Sequence, residues 1–221
     1  MKQKLIILIG CILALSLSSA DSFAGGDHYT VSITNITSAQ TFTPVMVATH
    51  KKGVKIFTPG SPASNELAML AEGGDTEPLT ELLMMDPRVG HITTSAGPLG
   101  PGETVDVEIS GHRRYKYISL AAMLLPTNDG FIALNGVRAP GGHHTTMYMS
   151  PGYDAGSEVN DESCMNIPGP FGCDGMGIGY TDADGEGYVH IHGGIHGIDD
   201  LESSVYDWKN PVARIVIKRS H

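Results

Sequence analysis

His28-Tyr-Thr-Val-Ser-Ile-Thr-Asn35 alternates along its length, with Tyr29, Val31 and Ile33 on one face and Thr30, Ser32 and Thr34 on the other. Side chains of a strand point to opposite faces at successive residues, so this pattern reads as a strand with one face in a core. Glu103-Thr-Val-Asp-Val-Glu-Ile109 repeats it, with Val105, Val107 and Ile109 inward and acids outward. Val212 to Lys218 does so again, burying Ala213, Ile215 and Ile217 and leaving Arg214 and Lys218 outside. Tyr117 to Leu125 is apolar almost throughout, as a strand covered on both faces must be. The chain carries 28 Gly and 13 Pro, clustered between these runs, which favours many short strands over long helices.

One stretch departs from this pattern. Ser64 is an N-cap candidate before Asn-Glu-Leu-Ala-Met-Leu-Ala-Glu, in which Leu67, Leu70 and Ala71 have helical spacing. After Gly73-Gly-Asp75, a second short helix is expected from Glu77 to Met84 with Thr76 as its cap. Both are read as a connection crossing one end of a sandwich, because connections run over surfaces. With no internal repeat, linker or change of composition, residues 25–221 are expected to form one domain.

Residues 1–24 read as a cleaved signal peptide. Lys2 and Lys4 form a positive n-region, Leu5 to Leu17 an apolar run, and Ser22-Phe-Ala24 a small-x-small cleavage site, with Ala20 as a second choice. Leu8-Ile-Gly-Cys11 has the form of a lipoprotein box, but apolar sequence continues past Cys11. The run is short of the roughly 20 apolar residues a membrane span needs, and no other stretch is a candidate. The expected location is therefore periplasmic or secreted. Without Lys2, Lys4 and Asp21 the chain holds 12 basic and 23 acidic residues, a formal charge of −11. Such a surface repels nucleic acid and attracts cations. Past Cys11 there are two cysteines, Cys164 and Cys173. In an oxidising compartment this pair reads as a disulfide around a short loop; a thiolate metal pair is the competing reading.

Tyr29-Thr-Val-Ser-Ile-Thr-Asn-Ile-Thr37 and Gln40-Thr-Phe-Thr-Pro-Val-Met-Val-Ala-Thr-His50 resemble the opening of the spondin N-terminal domain in its bacterial branch. Ser119–Asp129, Tyr153–Glu158, Gly187–Gly197 and Asp207–Ala213 follow in the same order as further segments of the resemblance. The resemblance implies a C2-like β-sandwich, so that with the two helical segments above the expected fold is all-β, a C2-like antiparallel β-sandwich with one or two short helices in a connection. It also implies a bound calcium ion (Ca2+) and extracellular recognition or adhesion, on a protein or glycan surface, rather than catalysis.

The positions that look like the calcium ligands are Asp129, Asp154 and Glu158. The chemistry suits them, since calcium takes six to eight oxygens, largely from carboxylates and carbonyls. Asp129 follows a buried strand at a loop rim, and the Ala-Gly-Ser between Asp154 and Glu158 lets the backbone fold tightly. Glu158 stands where animal relatives generally carry Asp, a longer arm that alters the geometry. A second acidic loop, Asp182-Ala-Asp-Gly-Glu-Gly187, matches the start of an EF-hand loop, but its twelfth position is Gly193 and strand-like sequence follows. It reads as a turn with a solvated acidic tip.

His190 and His192 lie two apart in an expected strand and His196 follows a Gly-Gly turn, while His143 and His144 sit in another Gly-rich loop. The first three imidazoles form the rival site, a periplasmic zinc or copper centre. The bland alternative is structural histidines at a glycine-rich sheet edge. No nucleophile elbow, Walker loop or dinucleotide fingerprint is present, so the expectation is a binding module and not an enzyme.

Overall fold

The structure, a computed structural model, describes residues 27–112, 114–174, 180 and 185–220. The signal-peptide reading of residues 1–24, and Asp182 and Asp184, lie outside them. Among the described residues, eleven strands and three short helices follow in chain order: β1 (His28–Asn35), β2 (Thr41–Phe42), β3 (Met46–His50), α1 (Asn65–Gly73), α2 (Glu77–Met84), β4 (Val89–Thr94) and β5 (Thr104–Ser110), then β6 (Tyr117–Leu125), β7 (Gly130–Arg138), β8 (Thr145–Ser150), β9 (Gly152–Asp154), β10 (His190–Ile191), α3 (Ser203–Tyr206) and β11 (Ala213–Ser220). They build two antiparallel sheets. One has the order β5-β1-β11-β8; the other runs β10-β9-β7-β6-β3-β4, with β2 pairing β6. The chain is therefore an all-β sandwich, as its alternating strands imply. No helix among the described residues is long and apolar enough to cross a membrane.

The three alternating segments meet where their patterns require. β1 lies between β5 and β11, aligning Val31 with Val107 on one side and Ile217 on the other. Their apolar faces, with Ile118, Leu120, Ala122 and Leu124 of β6, form the core between the sheets. Each fully buried aliphatic side chain there stabilises the fold by about 1.5–3 kcal/mol relative to exposure.

β6 is buried along nearly its whole length because its other face is covered as well. α1 and α2 supply the cover. Leu67, Leu70, Ala71, Leu79 and Leu83 pack on Met46, Ala48, Ala121, Phe131 and Ala133 in a second core outside the seven-stranded sheet. The expected surface connection is therefore a third layer, set against a sheet face. Its limits fit the sequence, with one change at a cap. The Ser64 hydroxyl accepts the Leu67 N–H at 3.2 Å, as an N-cap should. Thr76 has helical backbone angles and makes no cap hydrogen bond; the Asp75 carboxylate accepts the Glu77 N–H instead, at 2.9 Å.

Candidate metal centre

The β6–β7 turn carries the first carboxylate. Its loop is pinned from within: the Thr127 hydroxyl donates to the Leu124 carbonyl at 2.5 Å and accepts the Gly130 N–H at 2.9 Å. Asn128 ties it to a later segment, accepting the Glu162 N–H at 3.1 Å and donating to the Asp161 carboxylate at 2.9 Å. Held this way, Asp129 is fully buried. Its Oδ2 accepts the N–H groups of Ser157 (2.8 Å) and Glu158 (3.2 Å) and the Ser157 hydroxyl (3.3 Å). Its Oδ1 is buried without a hydrogen-bond partner. A carboxylate with one saturated oxygen and one bare buried oxygen is a costly arrangement for a carboxylate alone.

β9 carries the second. Strand register sets Asp154 between Gly130 of β7 and His190 of β10. Asp154 is also fully buried, with Oδ1 accepting the Gly156 N–H and Oδ2 the Asn160 amide, both at 2.8 Å. The chain then turns at Gly156, whose φ of +66° and whose approach to Tyr188 leave no room for a side chain; a Cβ there would lie 2.3 Å from the Tyr188 carbonyl oxygen. The Gly156 carbonyl accepts the Gly187 N–H at 2.7 Å, fastening this turn to the segment before β10. Glu158, the third predicted ligand, is 4 % exposed, and its Oε2 is buried without a partner.

The electrostatics follow from packing acids together away from water. Burial, then the charge of Asp154, pushes the Asp129 carboxyl up to about 7. Burial, followed by Glu72, Asp129 and Asp161, pushes Glu158 up to about 8. Glu72 is buried on α1, on the same helix face as Ala68 one turn earlier. The sequence reading uses it only to mark a helix end. Glu162 is another buried acid that sequence reasoning passes over. With φ at +60°, it accepts the N–H groups of His196 (2.6 Å), Gly197 (2.7 Å) and Ile198 (3.0 Å), so it secures the following loop.

The three predicted histidines are distributed among different neighbours. His190 is half-buried beside Tyr188, with its Nε2 3.4 Å from Asp154 Oδ1 and 3.8 Å from Glu186 Oε2. Burial pulls its pKa down, but the Ile191 carbonyl and the two carboxylates outweigh that and leave it raised. His192 is buried against Trp208, and its Nδ1 accepts the Gly194 N–H at 3.0 Å. The proton of its neutral ring therefore sits on Nε2, which leaves no ring lone pair for an ion. Burial holds its pKa below the usual range. His196 is mostly exposed, 3.5 Å from the Glu162 carboxylate. Among the described residues, the three side chains whose ligand atoms all lie within 4.8 Å of one another are Asp154, Glu186 and His190. Glu186, read in the sequence as part of a turn with a solvated acidic tip, is exposed and at the same time approaches Asn160 and His190.

Cys164 and Cys173 form a disulfide, closing the short loop expected of them. Cys164 N–H donates to the Asp200 carboxylate at 2.9 Å, which fastens the bridge to the segment after β10.

Comparison with curated proteins returns no match. The Spondin_N family profile matches residues 29–156, more than half of the chain. The match takes in β1 to β9, and with them Asp129 and Asp154; it ends at Gly156, before Glu158, Glu186 and His190. The collinear segments quoted at Gly187–Gly197 and Asp207–Ala213 also lie beyond it. On the strength of that match, the two-sheet architecture and the segments that follow one another in order, the chain belongs to the spondin N-terminal domain family.

Proposed function

We propose that this chain is an exported, non-catalytic recognition or adhesion module, in which Asp129, Asp154 and Glu158 hold a calcium ion that orders the loops at one end of the sandwich. The observation that carries the reading is the pair of buried carboxylate oxygens without partners, Asp129 Oδ1 and Glu158 Oε2. Burying an unpaired carboxylate is costly, and a hard divalent cation is the partner that oxygens of this kind accept. The donors are all oxygen, as calcium prefers, and the carboxyls raised to about 7 and about 8 are what crowded acids become without a positive charge among them. When bound, the ion supplies that charge. The chain's own residues do the rest: Asn128 and Glu162 fix the turn beneath Asp129, and Gly156 folds Asp154 and Glu158 back toward it.

Function on a sandwich tends to reside in the loops at its ends, and the ordered loops here would present a contact surface to a protein or glycan partner. Export agrees with the sequence of residues 1–24 and with the disulfide. The test is elemental analysis of the purified chain with thermal melts in EDTA and in added calcium. One equivalent of calcium, and stabilisation that disappears in Glu158→Gln, is the expected result. A melting temperature that calcium leaves unchanged would overturn the reading.

A further inference from the structure

The side chains of Asp154, Glu186 and His190 belong to a different kind of site from the all-oxygen one. We propose that these three form a second cation site, for a borderline divalent metal of the zinc type, contiguous with the calcium site through Asp154. It goes beyond the family profile, which ends at Gly156 and contains only one of the three residues.

The orientation of His190 is the first argument. Its Nδ1 lies 3.0 Å from the Ile191 carbonyl oxygen, which can only accept, so Nδ1 carries the ring proton and donates it. The Nε2 lone pair is thereby turned toward Asp154 and Glu186. A metal-binding imidazole is held in this way, with its far nitrogen donating to a backbone carbonyl.

Distance is the second argument. If His190 were only an imidazolium paired with acids, Nε2 would donate a short charge-assisted hydrogen bond of about 2.7–2.9 Å. It stands 3.4 Å and 3.8 Å from the two carboxylates and, although buried at that atom, makes no hydrogen bond. Tetrahedral zinc with bonds of about 2.0–2.1 Å separates its ligand atoms by about 3.4 Å; His190 Nε2 and Asp154 Oδ1 stand at that spacing, and Glu186 Oε2 lies 3.8 Å from Nε2. Calcium is excluded as the preferred occupant because it takes oxygen ligands, while imidazole with carboxylates suits zinc.

The carboxylates are braced as ligands usually are. The Asn160 amide donates to Asp154 Oδ2 at 2.8 Å and lies 3.3 Å from Glu186 Oε1, spanning the two acids. The Gly156–Gly187 backbone bond holds the Glu186 segment against the Asp154 turn. Three protein ligands leave a fourth position, on the side where Glu186 and His190 meet solvent. A metal here cross-links β9, β10 and the segment leading into β10, and it offers that fourth position to water or to a partner's donor.

The test is calorimetric titration of zinc into the purified chain kept in excess calcium, so that the oxygen site is already served. One equivalent of zinc is expected, with affinity reduced roughly 100-fold or more in both His190→Gln and Glu186→Gln, since losing even the residues that orient a ligand costs 10–100-fold. Glu186 is partly exposed, so its variant folds whatever His190→Gln does; circular dichroism confirms both. Zinc uptake should persist in Glu158→Gln, which separates this site from the calcium reading. No uptake beyond the calcium-loaded baseline, or uptake unchanged in both variants, overturns the proposal.

Discussion

Asp129→Asn should have opposite effects on stability depending on calcium and pH. Asn preserves the shape of the acid and an oxygen to accept the Ser157 and Glu158 N–H groups, while removing the charge. In the folded chain the Asp129 carboxyl is pushed up to about 7 from an ordinary 3.8. Between those values the folded state holds a proton that the unfolded state has released, so wild-type stability falls as pH rises through that window. At about 1.4 kcal/mol per pH unit, the loss is about 2 kcal/mol at pH 5 and levels off at about 4 kcal/mol above pH 7. Asn stands in for the protonated acid and escapes that loss. Urea unfolding in EDTA should therefore find the variant more stable than wild type by about 2 kcal/mol at pH 5 and by up to about 4 kcal/mol at pH 8. Calcium should reverse the order at pH 5 and narrow the gap at pH 8. At a hundredfold excess over its dissociation constant it would add about 2.7 kcal/mol to wild type and little to the variant. A variant less stable than wild type at both pH values in EDTA, with an unchanged calcium response, would refute the reasoning that the buried charge awaits a cation.

Three other substitutions test how the loops are held. Gly156→Ala puts a Cβ 2.3 Å from the Tyr188 carbonyl at a positive φ; urea unfolding should show a loss exceeding the ~1–2 kcal/mol of left-handed strain alone, with a weaker calcium response. Replacing both Cys164 and Cys173 by Ser opens a short loop and should cost about 2–3 kcal/mol, and reduction of wild type should reproduce that loss in its denaturation midpoint. Glu162→Gln weakens three hydrogen bonds to charged oxygens and should cost about 1–3 kcal/mol, with faster amide exchange at His196, Gly197 and Ile198.

Period-two alternation in β1, β5 and β11 was enough to place one sheet, because each of those strands has one wet face and one dry face. The continuous burial of β6 was legible for the same reason, but what covers its second face was not. A helix of nine residues looks alike in sequence whether it crosses a loop region or packs on a sheet, and only the burial of Leu67, Leu70 and Ala71 against Met46 and Ala121 separates the two. At the candidate site, Asp129, Asp154 and Glu158 were singled out because the resemblance pointed to them. Glu72 and Glu162 carried no such signal. Their burial depends on neighbours far away in sequence: Glu72 bears on Glu158, and Glu162 reaches the loop at His196 to Ile198.

The histidines illustrate how local spacing fails in a different way. His190, His192 and His196 are close in the chain, yet each ring is engaged by a different partner: two carboxylates, a buried N–H beside Trp208, and Glu162. What gathers His190 with Asp154 is strand register, a pairing across 36 residues that neither motif contains. Because β9 is itself paired to β7 at Gly130, the same register brings the residue after Asp129 opposite Asp154. One short strand thus stands between the strand that follows Asp129 and the strand that carries His190. Asp154 is common to both proposed sites, so Asp154→Asn should weaken calcium and zinc binding together, whereas Glu158→Gln and His190→Gln each remove one. Single losses for those two variants and a double loss for Asp154→Asn would identify this strand as the hinge of both sites.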